Sequence, residues 1–247
     1  MTRQTTGLVL LSSLLFASAA SAAPITFAGS SGTHSASVSF DISGSNLLVT
    51  LTNTAAADTL IPTDLLNAVF FTITGDPLLT RGSAVLAGGS TVENGVSDPG
   101  GVVGGEYAYV NGINQYGGNQ GLSSTGLGIF GPGDVFPGSN LAGPPDPDGP
   151  QYGLASMGDD PLTGNPEILG NPIIQNAVLF TLGGLPAGFS LSSIGNVTFQ
   201  YGTSLDEGHF TGDCVNCQQQ VVPEPGSLML LGAGLIFATK RARRFLL

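Results

Sequence analysis

His34-Ser35-Ala36-Ser37-Val38-Ser39-Phe40-Asp41-Ile42, then Ser43-Gly44-Ser45-Asn46, then Leu47-Leu48-Val49-Thr50-Leu51-Thr52, is the stretch on which the fold turns. His34, Ala36, Val38, Phe40 and Ile42 alternate with serines and Asp41, the period-two pattern of a strand with one buried face. Leu47, Val49 and Leu51 resume the alternation mostly against Thr50 and Thr52 after a Ser-Gly-Ser-Asn turn, so the unit reads as a β-hairpin. Working outward, Ala68-Val69-Phe70-Phe71-Thr72-Ile73-Thr74 is apolar on both faces and reads as a central strand. Ala177–Leu182 and Asn196–Tyr201 repeat the strand pattern, punctuated by Gly183-Gly184 and Gly195. The one helical signal is a turn near Thr63–Asn67, where Asp64 can help to cap. The fold class expected is all-β, an antiparallel β-sandwich.

Between Gly95 and Gly170 the character changes: this stretch holds 20 of the 38 glycines and 9 of the 16 prolines. Segments such as Pro144-Pro145-Asp146-Pro147-Asp148-Gly149-Pro150 repeat turn chemistry without room for long strands. The expectation is a loop-rich insertion over 95–171 that packs on the sandwich or hangs from it, with short strands such as Tyr107–Val110 inside it.

Charge restricts the partners. Of six basic residues, Arg3 precedes the strand-forming region and Lys240, Arg241, Arg243 and Arg244 follow it, so Arg81 is its one cation. All 17 carboxylates lie between Asp41 and Glu224, which leaves that region with 16 net negative charges. Nucleic acid is excluded as a partner, because phosphate binding needs Lys and Arg. A hydrophobic content of 41% against 9% charged is the reverse of the composition of disordered chains.

Three constellations invite a chemical reading. Cys214 and Cys217, with His209 and Asp213 before them, have the ligand types of a zinc site. As a redox pair they would want a helix N-terminus, and Gln218–Gln220 followed by Val-Val-Pro offers none. For two cysteines this close, a local structural disulfide is the expected state once the chain is exported, as both termini described below imply, and no metal site is assigned. The acidic turns Asp146-Pro147-Asp148-Gly149 and Asp159-Asp160 carry oxygen ligands suited to Ca²⁺ but match neither the twelve-residue EF-hand loop nor the glycine-aspartate nonapeptide, and Asp favours turns regardless of metal. Glu106, Glu167 and Glu207 are candidates for the facing pair of carboxylates that glycoside hydrolysis needs, and a sequence does not show which, if any, converge. No nucleophile elbow, His-Glu-x-x-His helix or phosphate loop occurs, so no catalytic residue, cofactor or enzymatic activity is assigned. Tyr107, Tyr109, Tyr116 and Tyr152 cluster in the glycine-rich stretch. They are where a glycan site would be sought, although anchoring the loop is the favoured role. Asn196-Val197-Thr198 has the glycosylation pattern but falls in an expected strand, and it is expected to be unmodified.

Both termini read as addresses. Arg3, the apolar run Gly7–Ala17 and the small-x-small triplet Ala20-Ser21-Ala22 form a Sec signal peptide over residues 1–22, cleaved after Ala22. At the other end Pro223-Glu224-Pro225 precedes an apolar run, Gly226–Thr239, and then Lys240, Arg241, Arg243 and Arg244. Fourteen residues span about 21 Å as a helix, and extension from Pro225 to Arg244 gives about 30 Å, the thickness of a hydrocarbon core. The basic cluster fixes the cytoplasmic end. The two prolines leave Glu224 extended at the outer boundary, where a processing enzyme can reach it. A permanent tail anchor is the rival reading, but it has no use for the Pro-Glu-Pro punctuation.

This composite tail, residues 221–247, resembles the PEP-CTERM sorting signal of exosortase-dependent bacterial surface proteins. Val197-Thr198-Phe199-Gln200-Tyr201-Gly202-Thr203-Ser204-Leu205-Asp206-Glu207 is also similar to the closing segment of an ectodomain type that recurs in that class. The resemblance implies a Gram-negative source, the Sec translocon and signal peptidase for export, and transient anchoring in the inner membrane. Recognition of Pro223, Glu224 and Pro225 by exosortase and release to the cell surface or extracellular space follow. It also implies a setting of exopolysaccharide synthesis, so exopolysaccharide is a further expected partner. The ectodomain, residues 23–220, is then expected to be a structural or interaction protein of surface or matrix, the alternative being a secreted carbohydrate-binding or carbohydrate-active protein.

Overall fold

The computed structural model describes residues 23–145 and 147–217. Strands β1 (Ile25–Ser31), β2 (His34–Ser43), β3 (Asn46–Asn53), β4 (Leu66–Ile73) and β5 (Thr80–Leu86) come first in the chain. The middle holds β6 (Thr91–Glu93), β7 (Ala108–Gln115), β8 (Gly118–Ser123), β9 (Leu154–Ala155) and the one-turn helix α1 (Pro166–Leu169). After them come β10 (Ile173–Gln175), β11 (Ala177–Gly183), β12 (Ile194–Tyr201), β13 (His209–Thr211) and β14 (Asp213–Cys214). They form two sheets, antiparallel throughout except where β9 runs parallel to β10.

The first sheet has the order β14-β1-β2-β3-β11-β5. Its centre is the hairpin that the alternation predicts, closed by the two residues Gly44 and Ser45 between paired Ser43 and Asn46. Gly44 sits at φ 62°, a left-handed conformation that costs glycine nothing. The register sets Phe40 beside Ile25 on one neighbour and Val49 on the other, and Val38 beside Phe27 and Leu51. One face of the sheet is thus continuously apolar, while Ser35, Ser37 and Ser39 fall on the other. Strand β1, which the sequence analysis did not single out, joins β2 through Gly32 and Thr33 in the same manner.

The second sheet is built around β4. Strand β12 flanks one side, with β13 outside it; β8 pairs with Ala68–Phe71 on the other, and β7 lies beyond β8. Strands β9, β10 and β6 continue the sheet from Leu66. The two sheets close on a core that includes Phe40, Val49, Val69, Phe71, Phe180 and Phe199. Phe40 and Phe71 meet across it at 5.0 Å between ring centroids. Each such side chain, fully buried, contributes about 1.5–3 kcal/mol. A polar clamp joins the sheets at one end: Asn53 Nδ2 donates to Leu154 O (2.7 Å), and the Tyr201 hydroxyl donates to Ser35 O (2.8 Å).

Both faces of β4 are buried, as its sequence predicts, and the covering on the second face has a specific source. Ala68 and Phe70 pack with Ala108 and Phe130, and Tyr116 joins them, all from the glycine-rich stretch. That stretch packs on the sandwich, and it also supplies β7, β8 and β9 to the sheet. Its glycines permit the approach: a Cβ on Gly118 would lie 2.9 Å from Phe71 N, and one on Gly121 would lie 2.9 Å from the Phe130 ring. Between Ser124 and Gly153 it is irregular, as its turn-rich sequence predicts. The Thr63–Asn67 turn is a 3₁₀ turn over Pro62–Asp64, where Asp64 Oδ2 accepts Leu60 N (3.0 Å) and Ile61 N (3.2 Å).

Candidate functional site

Two edges of the sandwich leave a groove between them. Strand β5 borders the first sheet, and on its outer side Ala84 O accepts Val103 N and Leu86 N donates to Gly101 O, so only its first residues stay open. Strand β7 is bordered by the segment 134–137, through Tyr109 N to Asp134 O (3.0 Å) and Phe136 N to Tyr107 O (2.8 Å). Between them lies a solvent-open cavity of about 710 Å³, lined by residues 78–81, 109–111 and 134–137. Its volume is in the range of small-molecule sites.

The polar groups of the groove are held in place from behind. Asp134 Oδ2 accepts Gly131 N (2.9 Å) in a tight turn, which aims Oδ1 at Arg81 Nη1, 3.5 Å away. Both side chains keep about a third of their surface in water, 33% and 36%, so the pair adds little stability. The Tyr109 hydroxyl donates to Gln120 Oε1, and Gln120 Nε2 donates to Asp76 Oδ1 (2.7 Å). Burial first, and the negative charge of Asp76 in addition, hold this hydroxyl far above its usual pKa, so it stays protonated. Asp76 itself adopts φ 43° just before Pro77.

The residues singled out from sequence are brought together only in part. Glu106 and Glu207 hold separate loops, Glu167 lies on α1, and none of the three lines the groove. Glu106 is fully buried and accepts hydrogen bonds from Leu141 N and Ala142 N. Glu207 Oε2 accepts Thr203 N (2.5 Å) and Ser204 N (3.0 Å), while Glu167 is exposed on α1. The tyrosines anchor the glycine-rich stretch: Tyr107 donates to Tyr152 O (2.6 Å), Tyr152 to Val96 O (2.9 Å), and Tyr116 to Gln200 Oε1 (2.8 Å). Only Tyr109 reaches the groove. Arg81, Asn111 and Asp134 were not among the candidates, because nothing local marks them; the isolation of Arg81 as the one cation of the region was the available signal.

Cys214 and Cys217 form a disulfide, their Cα atoms 5.7 Å apart, which leaves no thiolate for a metal. The bridge holds the last turn of β14, which pairs with β1 and is tied to it by Val215 N to Thr26 O (2.9 Å). His209 stacks on Tyr116 at 4.3 Å, away from such a role. Asp159 is buried, accepts Thr59 N (2.5 Å), and has its carboxyl raised first by burial and then by Asp58 and Asp160. Asp146 lies outside the described residues. Among the described residues no three His, Cys, Asp or Glu side chains converge as metal ligands.

Ala20, Ala22, Pro223, Glu224, Pro225, Lys240, Arg241, Arg243 and Arg244 also lie outside the described residues. Among the described residues no helix is long and apolar enough to cross a membrane. The described residues form an antiparallel β-sandwich with a groove open along one side. The address on this chain is now specific: residues 221–244 match the PEP-CTERM protein-sorting motif. The motif marks the chain for export and for exosortase-dependent processing at a membrane. No curated protein and no solved structure matches the chain.

Proposed function

We propose that this chain is an interaction protein of the cell surface or extracellular matrix, associated with exopolysaccharide and not itself an enzyme. The observation that carries the reading is the sorting motif at residues 221–244, borne by a sandwich in which Glu106 and Glu207 hold loops and do not face each other across the groove. The sequence assigns Pro223, Glu224 and Pro225 to exosortase, and Ala20 and Ala22 to signal peptidase after passage through the Sec translocon. The 16 net negative charges of the exported region keep copies apart until cations of the matrix screen them. The experiment is deletion of the gene with assay of matrix cohesion, surface fractionation and polysaccharide chain length. Loss of cohesion with unchanged chain length supports the reading; a change in chain length without loss of cohesion refutes it in favour of an enzyme. A second reading, a secreted carbohydrate-binding protein, is favoured by the groove beside Arg81.

A further inference from the structure

We infer that the groove between β5 and the 134–137 segment binds a neutral saccharide segment through Arg81, Asp134 and Asn111. The inference gives the carbohydrate-binding reading above its site and ligand class, and rests on that reading. Arg81 and Asp134 sit 3.5 Å apart, each a third exposed, and Asp134 is fixed by Gly131 N, so the pair presents a guanidinium and a carboxylate side by side. Vicinal hydroxyl groups are donors and acceptors at once, and such a pair satisfies both roles with charge-assisted hydrogen bonds. The Asn111 amide offers the same duality. Leu78, 75% exposed, and the exposed Pro137 give the wall an apolar surface for the C–H faces of a sugar ring, backed by the buried Leu79 and Phe136.

Other ligand classes fit less well. An anionic ligand meets Asp134 and a strongly negative region with one cation. A metal ion meets Arg81 beside the one carboxylate that lines the groove. A peptide adding to the edge of β5 finds only Thr80–Gly82 open, bounded by Pro77, by the register shift opposite Thr181 and Leu182, and by the bonds at Ala84 and Leu86.

The test uses the full-length chain in a detergent without a sugar headgroup. Calorimetry and saturation-transfer NMR are run with neutral tetrasaccharides of glucose, mannose and galactose, with tetragalacturonate, and with a neutral octapeptide, each to about 10 mM. Expected is binding of at least one neutral tetrasaccharide, weakened about tenfold or more by Arg81→Gln and by Asp134→Asn, with unchanged thermal unfolding. No neutral binding, binding of the uronate or the peptide alone, or binding indifferent to both substitutions overturns the inference. Introducing both substitutions in the cell separates this failure from that of the broader reading. A doubly substituted protein that still reaches the surface and preserves cohesion refutes the groove alone, whereas a wild-type protein never found outside the cell refutes the surface assignment.

Discussion

Replacing Gly105 by Ala tests how the glycine-rich stretch is held under the groove. A Cβ at that position would lie 1.9 Å from Ser139 O, 2.4 Å from its carbonyl carbon and 2.9 Å from Asn140 N, all of them backbone atoms. Relief requires the 139–142 segment to move by more than an ångström. That segment is fixed at Ser139 N by Asp98 Oδ2 (2.8 Å), and at Leu141 N and Ala142 N by the fully buried Glu106. Overpacking costs about 1–3 kcal/mol. Displacing the segment strips donors from a buried carboxylate at about 1–3 kcal/mol more, for a total of about 2–6 kcal/mol. At roughly 2–4 °C per kcal/mol for a domain of this size, the thermal midpoint should fall by roughly 4–24 °C. Gly133→Ala is the control, since nothing lies within 4 Å of its added Cβ, and it should stay within about 0.5 kcal/mol of wild type. The assay is calorimetric unfolding of the purified protein. If Gly105→Ala melts with Gly133→Ala, the 139–142 segment is not clamped as described and the argument fails.

Three further outcomes are expected. Intact-mass spectrometry of exported material should show a mature chain ending near Pro225, and Pro223→Ala with Pro225→Ala should leave the precursor in the inner membrane; a mature chain that retains Arg241–Leu247 would refute this. Thiol alkylation without reductant should label neither Cys214 nor Cys217, and Cys214→Ser should cost about 1–2 kcal/mol because the loop it closes is very short; stoichiometric zinc lost on changing His209 would contradict it. Asp159 has a carboxyl raised above 3.8, so the folded state holds its proton to higher pH than the unfolded state does, and the cost of the buried charge grows as pH rises through that window. Asp159→Asn keeps an acceptor for Thr59 N, so denaturant titrations should find it stabilising near neutral pH and neutral in effect below about pH 3; the opposite trend would show that the charged form is the favoured one.

The parts of the fold that were legible are those whose signal is local. The alternation from His34 to Thr52 sets a face, and a face sets a register, because a slip by one residue would turn Val38 and Phe40 outward. The doubly apolar β4 announces a strand with a covering on each side, without naming what covers it. The glycine-rich stretch was harder to read because Gly118 and Gly121 depress strand propensity where the sheet requires them, leaving room for Phe71 and Phe130. Strand β1 was missed for a similar reason: Ile25 and Phe27 begin an alternation that Gly29, Ser30 and Ser31 do not sustain.

The sequence by itself determined the sandwich hairpin, the proximity of Cys214 and Cys217, the negative charge and the sorting address, because each depends on residues adjacent in the chain or on simple counting. Tertiary structure alone decided the groove. Arg81, Asn111 and Asp134 come from three segments separated by at least 23 positions, and they meet only because β5 and β7 border the same open side of the sandwich. It also decided that the tyrosines of the glycine-rich stretch are anchors, since whether a phenol faces a carbonyl or solvent depends on what folds against it. Chain-local pattern fixes which face of a strand is apolar; only packing fixes which two edges are left facing each other across water.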